Sequence, residues 1–114
     1  MNEKASAKVR GKIAKMRAPH NEMGTRLHDL ILKTAPNLEP VWRWGLAFYR
    51  KDGQDACYLK SSEKAMIFGT SEDAARMRQG NETMVPVAWA FESLDAAAET
   101  HVASMVRKAA TGGP

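Results

Sequence analysis

The chain has a single cysteine, Cys57, among 114 residues, so no intrachain disulfide framework can brace it. It also lacks a long apolar run. The longest stretch without Asp, Glu, Lys or Arg is the nine residues Thr83 to Phe91, whereas a membrane-spanning helix needs ~18–20. The first residues are polar and rich in lysine, so no secretory leader is expected, and a reduced, cytoplasmic setting follows. Gly45, Gly53, Gly69 and Gly80 are isolated rather than gathered in a phosphate-binding loop, so no nucleotide-dependent enzyme is indicated. There is no His-Glu-x-x-His, no Cys-x-x-Cys and no Gly-x-Ser-x-Gly, the spacings that would mark a zinc site or an activated serine.

Hydrophobic residues make up 44%, but 18 of those 50 are alanines. The 32 larger ones suffice for one modest core, and therefore for one domain. The net charge of +4 is unevenly placed. Residues 1–18 carry Lys4, Lys8, Arg10, Lys12, Lys15 and Arg17 against Glu3, a net of +5, and the other 96 residues hold 11 basic and 12 acidic groups, a net of −1. A basic amino-terminal arm (1–18), a body (19–110) and a short flexible tail (111–114) are the expected divisions. Such an arm could attach to phosphates without reading sequence.

Apolar spacing sets the expected elements. Val9, Ile13 and Met16 recur at four and three, which suits a helix in the arm. Met23, Leu27, Leu30 and Ile31 form one face of a helix over about 22–34, stopped by Ala35-Pro36. From Val41 the period becomes two, with Trp42, Trp44, Leu46 and Phe48 on one face and Arg43, Gly45, Ala47 and Tyr49 on the other: a strand over about 41–49. Asp52-Gly53 is a hairpin turn leading to a strand at 56–60, Ser61-Ser62-Glu63 is the next turn, and Ala65 to Phe68 is a third strand stopped by Gly69. Ser71 caps a short helix (72–79), an edge strand follows at 84–91 with Pro86 in it, and Ser93 caps a last helix (94–110). The sum is an α+β domain, an antiparallel meander of four to five strands packed against terminal helices.

The run Trp44-Gly45-Leu46-Ala47-Phe48-Tyr49, the Lys-Asp-Gly turn, and Ala56-Cys57-Tyr58-Leu59 together resemble the YdhG-like family of small domains of unknown function. Arg26-Leu27-His28-Asp29-Leu30-Ile31 before Ala35-Pro36, Ile67-Phe68-Gly69, Met84-Val85-Pro86 with Ala88-Trp89-Ala90, and Met105-Val106-Arg107-Lys108-Ala109 extend the resemblance over roughly 12–110. Ala47 stands where the family pattern has proline, and the family's Gly-Lys-x-Met-Arg-His segment is missing near 81–87. The resemblance implies an antiparallel sheet covered by terminal helices and no established reaction. Because some relatives are labelled frataxin-like iron chaperones, it also implies iron delivery as an alternative function, for which Asp55, Glu72 and Asp73 are the oxygen ligands on offer.

His20, His28 and His101 fall in a linker and two separate helices, which suits surface or structural roles rather than a metal set. Cys57 in a strand suits a buried, inert thiol. The remaining feature is the set of strand aromatics Trp42, Trp44, Phe48, Tyr49, Tyr58, Phe68, Trp89 and Phe91. Most should fill the core, while any left on the far sheet face would form a binding pocket or an interface, including a homodimer interface. Trp44, Tyr49, Tyr58 and Trp89 are the candidate ligand-binding residues. The expected function is thus a non-catalytic binding or adaptor module for a small molecule or a protein, with no cofactor. Iron carriage through Asp55, Glu72 and Asp73, and nucleic-acid association through the basic arm, are the alternatives.

Overall fold

A computed structural model describes residues 3–71 and 87–111. Within them the order is α1 (Glu3–Ala14), α2 (His20–Thr34), β1 (Glu39–Arg43), β2 (Leu46–Lys51), β3 (Gln54–Ser61), β4 (Met66–Thr70), β5 (Ala88–Phe91) and α3 (Ala96–Thr111). The strands form one antiparallel sheet in sequence order, so the architecture is α+β with a meander at its centre. The helix expected at 72–79, and the part of the expected edge strand before Val87, lie outside the described residues.

All three helices contribute to one buried cluster. Val9 and Ile13 of α1, Met23, Leu27 and Ile31 of α2, and Val102, Met105 and Val106 of α3 meet Ala47, Tyr49, Cys57, Leu59, Met66 and Phe68 of the sheet. Each large apolar side chain buried this way contributes roughly 1.5–3 kcal/mol. The basic first segment is thus a helix whose apolar stripe is built into the core. Two further ties hold it there: Arg10 Nε and Nη2 donate to both carboxylate oxygens of Asp29 at 3.0 and 3.1 Å, and Arg17 donates to the carbonyls of Ser62 and Glu63 beyond the helix end. Gly24 lets α1 and α2 approach, since a Cβ there would lie 2.7 Å from Ile13 Cγ2.

The expected strand at 41–49 is two strands. Trp44 and Gly45 have φ of 53° and 75° and form the loop of a β1–β2 hairpin in which Arg43 pairs with Leu46, the arrangement of a two-residue turn with both central residues left-handed. That turn reverses the alternation. Trp42 shares the inner face with Ala47 and Tyr49, while Arg43 shares the outer face with Leu46 and Phe48, so the face grouping expected from an unbroken period of two is corrected after Arg43. The second hairpin is as expected, with Asp52 and Gly53 at φ of 53° and 80°. Gly69 does not stop β4, which continues to Thr70. The last helix begins later than expected: the amide of Ala98 donates to Asp95 Oδ1 at 2.8 Å, so Asp95 rather than Ser93 satisfies an open amide at its start.

Candidate functional site

The buried cluster engages the inner face of the sheet; Val41, Leu46, Phe48, Tyr58 and Ile67 on the outer face stand apart from it. Cross-strand pairing sets Val41 beside Phe48, Phe48 beside Tyr58, and Tyr58 beside Gly69. The Tyr58 ring lies against the Gly69 backbone, in the space that a Cβ would occupy, so glycine here makes room for an aromatic ring. Phe48 and Tyr58 have ring centroids 6.1 Å apart, and Trp44 meets Phe48 edge-on at 6.0 Å. The guanidinium of Arg43 lies 5.0 Å from the ring centroids of both Trp44 and Phe48, within cation–π reach. Its Nη2 donates to Asp55 Oδ1 at 3.4 Å, and Arg50 Nε donates to the same oxygen at 2.8 Å.

Trp44 is 81% exposed, despite being the largest side chain of this patch. A bulky residue at positive φ costs on the order of 1–2 kcal/mol relative to the right-handed regions, and this one recovers little of it through burial. The patch is therefore an open aromatic platform edged by two arginines and one carboxylate, a surface suited to a flat, largely apolar partner.

A second polar assembly lies on the inner side. His28 is buried, with Nε2 hydrogen-bonded to Ser6 Oγ at 2.9 Å and Nδ1 to Tyr49 Oη at 2.7 Å. It joins α1, α2 and β2 through one imidazole. Burial pulls the His28 pKa below the ordinary value, with Arg10 acting in the same direction and Asp29 opposing. Burial also raises the Tyr49 phenol well above its usual range, with Cys57 and Asp29 adding to the effect. Hydroxyl, imidazole and hydroxyl follow one another as in a nucleophile–base–orienter set, but the third member is a neutral phenol, which does not stabilise an imidazolium as a carboxylate does. The chain of bonds acts as a structural tie. A second one joins His20 Nδ1 to Ser61 Oγ at 2.6 Å.

The four aromatic candidates are divided between the faces. Trp44 and Tyr58 come together through Phe48 on the outer face. Tyr49 is fully buried under the helices, and Trp89 is half-buried on the inner side between Phe68 and His101, at centroid distances of 6.2 and 6.0 Å. Arg43 and the link between Ser6 and His28 had no local signature, because they depend on a reversed strand face and on a contact across 22 residues. Cys57 is buried, and desolvation pushes its thiol far above the ordinary range. Of the iron candidates, Asp55 is engaged by Arg43 and Arg50, and Glu72 and Asp73 lie outside the described residues. Among the described residues, no group of three or more His, Cys, Asp and Glu is placed to hold a metal ion, and no helix is long and apolar enough to cross a membrane.

Of the basic candidates, Arg10 and Arg17 are committed to contacts within the protein, whereas Lys4, Lys8, Lys12 and Lys15 are exposed. Shallow depressions of about 410 and 400 Å³ lie on the helical side. The first is lined by Ala14, Asn21, Glu22, Thr25 and Arg26, and Arg26 is already paired with Glu99 at 2.8 Å. No protein-family model, curated protein or solved structure matches the chain.

Proposed function

We propose that the protein is a non-catalytic binding module of the YdhG-like type that recognises a partner through the outer face of its sheet. The observation that carries this reading is Trp44, 81% exposed and held at a positive φ of 53° in the β1–β2 turn. A residue that adds strain and remains in water contributes little to folding, and its value lies in what covers it. Phe48 and Tyr58 extend the platform, and Arg43 stacks on it. Trp, Tyr and Arg are the side chains that most often dominate interface energetics. The excess of Arg43 and Arg50 over Asp55 favours a ligand or protein surface that is flat, apolar and carries an acidic group. The sheet-and-terminal-helix architecture is the one the family resemblance implies.

Native mass spectrometry of the full chain, isolated at low salt without chelator from its own host, tests this against a Trp44→Asn variant. Asn accepts left-handed backbone, so the variant should fold with equal or slightly higher thermal stability. The wild type should carry an additional mass, from a small molecule or a protein, and the variant should lose it, consistent with at least about 2 kcal/mol from the tryptophan. A wild type without added mass, or a variant that keeps it, contradicts the reading.

A further inference from the structure

We propose that α1 presents a lysine rail that grips the phosphate backbone of a nucleic-acid duplex. The rail lies apart from the aromatic platform and does not depend on it. Lys4, Lys8 and Lys12 are spaced by four in a helix, and Lys15 follows in the turn that closes it. At 3.6 residues per turn the three helical positions fall within roughly 80° of helix surface, and successive lysines on the helix advance by about 6 Å along its axis. All four are exposed, and among the described residues none has a carboxylate within ion-pair distance.

The basic residues of the same segment that point elsewhere are used internally. Arg10 is bound to Asp29, and Arg17 to the carbonyls of Ser62 and Glu63. With Val9 and Ile13 in the core and Ser6 tied to His28, α1 is fastened to the body along its length. The lysines are thus displayed in a fixed row, and ordering them requires no folding of the helix on binding. Charge is concentrated there as well, with +5 in residues 1–18 against −1 in the remainder.

A polyanion with a regular charge spacing fits this row. Between the two common candidates, a bilayer and a nucleic acid, the helix favours the latter. A helix that lies on a membrane inserts its apolar face, and here that face is occupied by the protein's own core. Without base-reading groups on the rail, the contact would be with phosphates and independent of sequence.

Fluorescence anisotropy of a labelled 20-base-pair DNA duplex with the full chain tests the proposal. Four phosphate contacts predict a log–log salt slope of about −3.6, hence binding roughly a hundredfold weaker at 200 than at 50 mM salt. Two variants with equal charge change separate the rail from bulk charge: Lys4, Lys8 and Lys12→Gln, and Lys33, Lys60 and Lys64→Gln, each lowering the formal charge from +4 to +1. Glutamine is a good helix former, and circular dichroism verifies that both variants fold. The rail variant should bind at least tenfold more weakly at 50 mM salt with a slope shallower by about three, while the control stays within about twofold of wild type. Equal losses in both variants, absence of binding by the wild type at 50 mM salt, or a salt-independent affinity would overturn the proposal. So would rail-dependent binding to phosphatidylserine vesicles without binding to the duplex, which would assign the rail to a membrane.

Discussion

His28 shows how much one side chain can organise here. Its two nitrogens satisfy hydroxyls from different elements, Ser6 on α1 and Tyr49 on β2, and burial lowers its pKa from the ordinary 6.5. The unfolded chain, with an unperturbed histidine, therefore binds more protons than the folded chain in the window just below pH 6.5. Stability from this group is complete above that pH and declines as the pH falls toward the folded value, by at most about 1.4 kcal/mol per pH unit. Asp29, held below the usual carboxylate range by Arg10, titrates at lower pH and keeps its pairing across this window. Urea unfolding at pH 7.5, 6.5 and 5.5 should show a loss of stability in the wild type that is smaller in His28→Gln. Parallel losses in the two proteins would contradict this account of His28. The residue was legible in the sequence only as a neighbour of the apolar stripe of α2. Its partners are 22 and 21 residues away in the chain, and no local spacing encodes such a contact.

Among the elements, α2 and the meander were readable because each rests on a local period: Met23, Leu27 and Ile31 on one helix face, and Asp52-Gly53 at a turn that requires positive φ. The β1–β2 hairpin was not. Trp44-Gly45 lacks the Asn or Asp that usually announces such a loop, and apolar residues continue on both sides of it as in an uninterrupted strand. An unbroken period of two therefore sets Arg43 with Ala47 and Tyr49, whereas the turn sets it with Leu46 and Phe48; Tyr49 stands beside Trp44 as a candidate only through the family-like run Trp44 to Tyr49, and it lies in the core. Gly69 is ambiguous for a related reason: a glycine looks like a terminator until the cross-strand neighbour is known. With Tyr58 packed on it, Gly69→Ala should destabilise the sheet by about 1–3 kcal/mol, the usual range for overpacking. Chemical denaturation of Gly69→Ala alone and with Tyr58→Ala checks this, since the second change should recover part of the loss. An unaffected single variant would show that the ring is not confined there.

The whole molecule depends on its first helix. Charge alone sets residues 1–18 apart as an arm, but Val9 and Ile13 enter the common core with α2, α3 and the sheet. Removal of residues 1–18 should therefore uncover that core and abolish or broadly weaken the cooperative thermal transition, whereas a detachable arm would leave it intact; calorimetry of the truncated chain distinguishes the two. With helices on one face, the aromatic groups of the other face stand outside the buried cluster, and the proposed binding role rests on them. Hydroxyl-radical footprinting, read by mass spectrometry on the protein in buffer and in extract of its host, tests it most directly. Trp44, Phe48 and Tyr58 should become protected in extract while Tyr49 and Trp89 keep their buffer values. Unchanged oxidation of Trp44, or protection confined to other residues, would contradict a binding role for the outer sheet face.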